Sequence, residues 1–279
     1  MIQKSYDKSA SLYLIPTPIG NMEDITFRAL ETLKMVDYVL SEDTRVTSLL
    51  LSHFSISKKL VSCHEHNEDD LKEKILQDIL SGKNIGLVTD RGTPIISDPG
   101  YKVVRYLTEH DVNVISLPGA TAFVPALTAS GIEPSPFLFY GFLNAKSSKR
   151  KEELEHLKKE SYTIIFYEAV HRIEKTLKDI QAIFGDRKIS LNREISKLYE
   201  EIYRGTISEV LEQLDVIKCE FVIVVEGCKE EIDYKSIPVL EQVNDFVQEG
   251  MSEMDAIKKV AKIRGVAKSE IYKEYHNRK

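Results

Sequence analysis

The chain has 279 residues, which is too long for one ordinary domain and fits two. Apolar residues make up 42% of it and charged residues 29%, as is usual for a soluble globular protein. Its formal charge of −6 excludes a uniformly basic protein that coats nucleic acid, although a local basic face is still possible.

Cysteine usage and hydropathy favour a cytoplasmic protein without a membrane segment. Cys63, Cys219 and Cys228 are an odd, scattered set that predicts neither a disulfide framework nor a CxxC metal site. Residues 1–11 are polar and lack the apolar core of a signal peptide. The uncharged run 112–132 contains two prolines and two glycines, so we expect no continuous membrane-spanning helix there.

The first part of the chain alternates short apolar runs with helical spacing. Strands are predicted at 12–16, 38–41, 59–63, 85–89 and 114–117. Helices are predicted at 24–36, 44–54 and 67–80, with Asp24 as the first N-cap. This alternation is typical of a parallel sheet covered on both faces, and it predicts an N-terminal α/β domain over residues 1–119.

A second α/β domain is predicted over residues 120–232. Its strands are expected at 137–142, 163–167, 188–192 and 221–225, and its helices at 149–159, 173–183 and 207–214. The polar, basic segment 144–151 lies between a strand and a helix. It is interpreted either as a solvated loop or as an arm that contacts phosphate.

The remaining residues, 233–279, predict a small helical domain with an uneven charge. Helices are expected at 239–249, 254–263 and 268–276. Residues 231–256 contain seven acidic side chains and one basic one, whereas residues 257–279 contain eight basic and two acidic ones. The domain is either helix-turn-helix-like, with a nucleic-acid contact, or a helical cap with a solvated face.

The segments that follow the first five predicted strands are rich in Gly, Pro and polar residues. They are 16–21, 42–45, 64–67, 90–100 and 118–122. Because ligands bind at the carboxyl ends of parallel strands, these segments predict one cleft that closes on a ligand. A P-loop, a GxGxxG turn and a GxSxG elbow are absent from the sequence, and Cys63, His64 and His66 have no further ligands at metal spacing. No metal site is therefore predicted.

Taken in order, the motifs resemble those of the ribosomal RNA small-subunit methyltransferase I group of tetrapyrrole-methylase-like, class III enzymes. The motifs are TPIGN, EDTR, HEHN, GTPIISDPGY, PGATA, ASGI, FYEAVHRI and NREISK. The resemblance runs from Leu12 to Gly227, and the tail resembles the group's C-terminal helical domain. Arg91 departs from the usual pattern, because a small residue is typical there, and Ala169-Val170 replaces a usual Ser-Pro.

The resemblance implies two α/β domains with an S-adenosylmethionine cleft between them, and a homodimer. It also implies 2′-O-methylation of a cytidine ribose in the decoding region of 16S rRNA, in the small ribosomal subunit. Two rival interpretations are a tetrapyrrole C-methyltransferase and a non-catalytic RNA-binding protein. The basic tail and the EDTR and HEHN motifs favour RNA over a porphyrinoid.

Methyl transfer to a ribose hydroxyl requires help with a weakly acidic proton, from a base or from a nearby cation. The residues expected to supply this help are Glu42, Arg45, His66, Arg193, Glu194 and Lys197. The alternative for Arg193, Glu194 and Lys197 is a structural ion-pair network. For Glu42 and Arg45 the alternative is a strand-end salt bridge or a helix cap at Asp43.

Cofactor binding is expected mainly from the segment 90–96, where Gly92 permits close backbone approach and Pro94 fixes a turn. The predicted cofactor residues are Pro18, Gly20, Asp90, Gly92, Thr93, Ile95, Ile96, Thr121, Ala122 and Tyr167. The alternative is that the Gly and Pro residues merely form turns.

Overall fold

The computed structural model of the chain describes residues 3–5, 7–214, 220–229, 237–248 and 250–277. They fall into two compact units, Met1–Cys228 and Lys229–Lys279. Within these residues no helix has the length and apolarity needed to cross a membrane. The predicted domain boundary at 232/233 lies outside the described residues, as do Cys219 and Arg278.

The first sheet is fully parallel, which confirms the predicted arrangement. Its strands, in the spatial order β3-β2-β4-β1-β5, are β1 (Leu12–Leu14), β2 (Tyr38–Ser41), β3 (Lys59–Ser62), β4 (Ile85–Val88) and β5 (Val114–Ser116). Apolar side chains are buried on both faces, with Leu12, Leu40 and Leu87 in one core and Ile15, Val39 and Val88 in another. The parallel pairing puts all five carboxyl ends at one edge.

Four helices cover this sheet, namely α1 (Phe27–Met35), α2 (Thr44–His53), α3 (Glu68–Leu80) and α4 (Tyr101–Glu109). The prediction that Asp24 caps α1 is wrong, because Asp24 ends a short 3-10 helix (Met22–Asp24) and the Thr26 hydroxyl accepts from Ala29 N–H instead. Asp43 does cap α2 by accepting from Arg45 N–H. The sequence prediction did not include α4.

The second sheet is mixed, with the order β6-β7-β10-β8-β9. Its strands are β6 (Phe137–Phe142), β7 (Thr163–Ala169), β8 (Lys188–Arg193), β9 (Glu201–Thr206) and β10 (Glu220–Val225). β6 and β7 are parallel, whereas β10 pairs antiparallel with β7 and β8, and β9 antiparallel with β8. β9 was not predicted, because its half-buried sequence EIYRGT contains few apolar residues.

The helices of the second α/β part are α5 (Phe123–Ala129), α6 (Ser147–Leu157), α7 (Ile173–Phe184) and α8 (Ile207–Gln213). α5 was not predicted. Helix α6 contains five of the eight residues of the basic segment 144–151, which was interpreted as a loop or an arm. Within it Arg150 is buried and binds Asp179 with an Nη2–Oδ2 distance of 2.6 Å. This residue therefore has a structural role in place of a phosphate contact.

The C-terminal unit packs three helices around its own core in its described part. They are α9 (Val239–Gln248), α10 (Glu253–Arg264) and α11 (Lys268–Asn277), close to the predicted bounds. Val243, Ile257, Val260 and Ile271 are buried between them. A left-handed Gly265 with a φ of 66° ends α10, as the sequence break predicts.

Candidate functional site

A cleft with a volume of about 440 Å³ is lined by residues of both sheets. The first part of the chain contributes Glu42 after β2 and the residues 90–93 and 96–98 after β4. The second contributes Tyr167 on β7 and residues 220–222 on β10. The cleft thus lies at the carboxyl edge of the parallel sheet, where the polar segments follow the strands.

The backbone of the loop after β4 (90–100) is hydrogen-bonded to the first loop of the chain, which follows β1 (16–21). Thr17 N–H donates to the Gly92 carbonyl over 2.9 Å, and Gly92 N–H donates to the Thr17 carbonyl over 3.0 Å. The Thr93 hydroxyl donates to the Ala120 carbonyl over 3.0 Å. Gly92 has a φ of 86°, a left-handed conformation that favours glycine. These bonds present the loop backbone to the cleft in one defined shape.

Carboxylates dominate the charge of the cleft. Glu42, Asp90, Asp98 and Glu220 all line it, and the Thr89 hydroxyl donates to Glu42 Oε2 over 3.0 Å. Burial raises the pKa of Asp98 to about 6, and the neighbouring acidic side chains also raise it. Bringing like charges together in a half-buried site costs free energy, and a cationic ligand would relieve that cost.

Tyr167 forms the wall of the cleft on the second sheet. Its ring packs edge-to-face on Phe139 and Phe142, with centroid distances of 5.0 and 5.5 Å. Burial raises the pKa of its phenol, and the neighbouring Thr121 side chain and Phe123 backbone act in the opposite direction. The phenol therefore lies beside the start of α5.

The loop after β8 brings one ion pair to the cleft. Lys197 Nζ binds Glu194 Oε1 over 2.8 Å, and both residues line the cleft. Glu194 and Ser196 have φ angles of 52° and 72°, which are uncommon for non-glycine residues. The Ser196 hydroxyl contacts the Asp24 carboxylate, which joins this loop to the first part of the chain. Strained residues of this kind often occur at functional sites.

A second, smaller cavity of about 260 Å³ adjoins the cleft. Pro18 and Gly20 line this cavity and not the cleft itself, although both were predicted to approach the cofactor. The two cavities share four lining residues, namely Val46, Asp90, Arg91 and Lys197.

Comparison with known proteins identifies the family. Residues 11–211 match the family model of tetrapyrrole (corrin/porphyrin) methylases. Over 273 residues the chain is 50% identical to ribosomal RNA small subunit methyltransferase I of Bacillus subtilis (strain 168), covering 95% of this chain and 94% of that protein. The chain belongs to the tetrapyrrole methylase family, with the ribosomal RNA small subunit methyltransferase I proteins.

Other members of the family extend the likeness. The protein of the same name from Haemophilus influenzae is 42% identical, covering 95% of this chain and 96% of that protein. A solved structure of uroporphyrin-III C-methyltransferase from Thermus thermophilus, complexed with S-adenosyl homocysteine, has a TM-score of 0.56 and 21% identity, covering 77% of this chain and 97% of that one. The methyltransferase CobJ has a TM-score of 0.58 and 16% identity, covering 79% and 95%. These structures share the fold.

In this methylase-family chain the cleft brings together most of the predicted site residues. Those that line it are Glu42, Asp90, Gly92, Thr93, Ile96, Thr121, Ala122, Tyr167, Glu194 and Lys197. Their roles remain predictions, since proximity to a cleft assigns no chemistry.

Four predicted residues lie outside the lining of both cavities. Arg45 is exposed and pairs with Asp43, at an Nη2–Oδ2 distance of 2.6 Å. His66 is exposed with its ring 6.0 Å from that of His64. Arg193 is buried and binds Glu201, and Ile95 packs on the core of the first sheet. The contact of Arg45 agrees with the alternative of a strand-end salt bridge, and the contact of Arg193 agrees with the alternative of a structural ion-pair network.

Several cleft residues were missed by the sequence prediction. Asp98 is the most informative, since it belongs to the GTPIISDPGY motif but follows the segment chosen for the cofactor. Its place after two left-handed residues, Ile95 and Ser97, turns it back into the cleft. Phe142 and Glu220 come from strands of the second sheet, and no local pattern marked them.

Proposed function

We propose that this chain transfers a methyl group from S-adenosylmethionine to the 2′-hydroxyl of a cytidine ribose in the decoding region of 16S rRNA. The names of relatives at 42–50% identity support methylation of ribosomal RNA. The cytidine ribose and the decoding region come from the motif resemblance. The observation that carries the proposal is a carboxylate-lined cleft with a Lys197–Glu194 ion pair in its wall.

The residues of the cleft fit this cofactor. S-adenosylmethionine carries positive charge on its sulfonium and its amino group, and when bound it supplies an electrophilic methyl group. Glu42, Asp90 and Asp98 would offset that charge. Gly92 leaves its backbone open to close approach, and the Asp98 carboxyl with a pKa of about 6 is ionised at neutral pH. Tyr167 would bound the site on the other side.

The ion pair offers a way to manage the hydroxyl proton. The Lys197 ammonium would stabilise the alkoxide that develops as the ribose oxygen attacks. Glu194 holds that ammonium at 2.8 Å and would keep it oriented. Both side chains are partly buried, with exposed fractions of 30% and 23%, so their charges are less screened than those of surface groups. We assign Lys197 to the hydroxyl and Glu194 to the positioning of Lys197.

The C-terminal unit is proposed to dock on rRNA. Three of its basic residues are engaged inside the unit: Lys258 pairs with Asp255, Lys259 lies 4.0 Å from the ring centroid of Phe246, and Arg264 binds Gln242. Phosphate contacts are therefore expected from Lys262, Lys268 and Lys273. The alternative is a purely structural helical cap.

The oligomeric state of the protein and its cellular location are also proposals. The motif resemblance implies a homodimer, and modification of rRNA implies a cytoplasmic enzyme that meets its substrate in the small ribosomal subunit. No metal is expected to take part, and the described residues contain no group of three or more His, Cys, Asp or Glu side chains arranged to hold one.

A transfer assay with mapping tests the function. Tritiated S-adenosylmethionine is incubated with the protein and 30S subunits that lack ribose methylation, and subunits already methylated at that ribose serve as the control substrate. We expect label only in the unmethylated subunits, on one cytidine ribose. Label on a nucleobase would contradict the ribose assignment, and label in a tetrapyrrole instead of RNA would favour the C-methyltransferase alternative. Failure to bind the cofactor in calorimetry would favour a non-catalytic RNA-binding protein.

A further inference from the structure

The smaller cavity beside the cleft has a composition of its own. Of the residues that line this cavity and not the cleft, Pro18, Met22, Leu49 and Leu50 are apolar, and the others are Gly20 and three threonines, Thr17, Thr47 and Thr89. Leu49 is 72% exposed in the middle of helix α2, so its side chain has little protein against it. An exposed leucine in a cavity wall is a surface on which an apolar face of a ligand can pack.

Two cations and one carboxylate lie where this cavity meets the cleft. Arg91, Lys197 and Asp90 line both cavities. The Arg91 side chain is 55% exposed, and its nearest carboxylate partner, Glu220 Oε2, is 3.8 Å from Nη1. Because that separation exceeds an ordinary hydrogen bond, the guanidinium keeps donors to offer an anion. An apolar wall next to a boundary with two cations and one carboxylate, a net positive charge, suits a ligand with a flat apolar face and a phosphate.

Size restricts the ligand further. Pockets for drug-sized molecules measure about 300–1,000 Å³. A cavity of about 260 Å³ therefore suits one small unit, such as a single nucleotide. Enzymes that modify one nucleotide of a folded RNA commonly take that nucleotide out of its stack and hold it in a pocket.

We propose that the smaller cavity is the acceptor cavity, which holds the RNA nucleotide to be methylated. The nucleobase packs on Met22 and Leu49, and Arg91 binds the adjacent phosphate. The ribose lies at the boundary with the cleft, next to Lys197. This inference rests on the proposed function and adds the location of the substrate. It also gives a role to Arg91, one of the residues at which the chain departs from the usual motifs.

A matched pair of leucines tests the apolar wall. Leu49→Ser removes it, whereas Leu80→Ser alters an equally accessible leucine of helix α3, which is 66% exposed and lines neither cavity. At saturating cofactor, Leu49→Ser should raise the KM for 30S subunits about tenfold, because an apolar contact is lost. Leu80→Ser should leave that KM unchanged. Melting curves check the fold, and calorimetry should show the same cofactor affinity for both.

The outcomes separate this inference from the proposed function. If the wild-type protein methylates no ribosomal RNA, the proposed function fails. If the wild type is active and Leu49→Ser has the same KM as Leu80→Ser, the acceptor cavity is wrong while the function stands. Loss of cofactor affinity in Leu49→Ser would also overturn it, because the cavity would then belong to the cofactor site.

A second pair tests the phosphate contact. Arg91→Gln removes one proposed contact, and Arg105→Gln removes an exposed arginine of helix α4 that pairs with Glu109. The KM for 30S subunits is measured at several salt concentrations. Arg91→Gln should reduce the log–log salt slope by about 0.7 to 0.9, the value for one phosphate contact. A slope equal to that of Arg105→Gln would overturn the role given to Arg91.

Discussion

Gly20 and Lys197 are in direct contact, and the contact depends on Gly20 having no side chain. A Cβ added to Gly20 would overlap Cγ of Lys197 and would lie 3.0 Å from its Cε. The first loop of the chain thus forms the surface along which the lysine side chain runs to reach Glu194. Gly20 was predicted to allow close approach of a cofactor, but here it allows close approach of the lysine.

We expect Gly20→Ala to reduce turnover by displacing Lys197. The fall should be at least tenfold, equivalent to about 1.4 kcal/mol in the barrier. In a double-mutant cycle, Gly20→Ala should add little to Lys197→Ala, because both changes remove the same ammonium from its place. Single-turnover methyl transfer measures this. Independent, additive effects would show that Gly20 acts through something other than Lys197.

Lys197→Ala and Glu194→Gln should each reduce turnover far more than cofactor affinity. The reason is that the pair is assigned to the ribose hydroxyl and its surroundings. Glu194→Gln should be the milder change, since it weakens the orientation of Lys197 but keeps the cation. If the single-turnover rates stay within about threefold of wild type, the change in the activation free energy is below about 1 kcal/mol. The two residues would then form only a structural ion pair.

Gly92 and Gly82 form a matched pair for the cofactor loop. Both have a left-handed φ, 86° and 96°, but only Gly92 lines the cleft. Gly92→Ala and Gly82→Ala should each lower stability by about 1 kcal/mol or more, because alanine is strained there. Only Gly92→Ala should also weaken S-adenosylmethionine binding in calorimetry. Equal affinities in the two variants would remove this loop from the site.

Asp98→Asn should stabilise the protein at neutral pH. The pKa of Asp98 is about 6 in the folded protein, against an ordinary value of 3.8, so the folded state binds the proton more tightly than the unfolded state. This proton binding stabilises the fold at low pH, and the stabilisation is lost as the pH rises from about 4 through 6. Asparagine avoids that loss. After allowing for screening we expect about 1 kcal/mol, or about 2–4 °C in Tm, near pH 7. Melting from pH 4.5 to 7.5 measures it.

Two comparisons accompany the Asp98 measurement. Hydrogen bonds to Arg45 lower the pKa of Asp43 to about 2, so its ionised form stabilises the fold at neutral pH. Asp43→Asn should therefore lower the stability at neutral pH, the opposite of the change expected for Asp98→Asn. Asp98→Asn should also weaken binding of the cationic cofactor. A variant that is neither more stable nor weaker in cofactor binding would show that the carboxylate does not face the ligand.

Deleting residues 233–279 should weaken RNA binding and flatten its dependence on salt. With contacts from Lys262, Lys268 and Lys273, the log–log slope should fall by about 2 to 3. Cofactor affinity should stay the same, since the residues that line the cleft precede the deletion. If the full and shortened chains have the same slope, the tail is a helical cap. The RNA-binding face would then be sought near Lys146 and Lys149, which are exposed.

Several elements were predictable from local pattern. Leu12–Leu14 and Ile85–Val88 are short and apolar because they are buried on both faces of a parallel sheet. Asp43 caps α2 because its carboxylate accepts from Arg45 N–H. By contrast, Tyr101–Glu109 and Glu201–Thr206 were missed. Val103 and Leu107 of the first are buried one helical turn apart, so its helical pattern is present in the sequence. The second has few apolar residues, and its pairing with Lys188–Arg193 decides its state.

The sequence by itself determined the family, the parallel first sheet and the loops that end at its carboxyl edge, because motifs and hydrophobic period are local properties. Only the tertiary structure decided which side chains face the cleft. His66 and Asp98 are both polar residues in motif loops, yet one is exposed outside the cleft and the other is turned into it by left-handed residues beside it. The direction of a side chain depends on backbone angles and on distant neighbours, and neither is encoded in spacing along the chain.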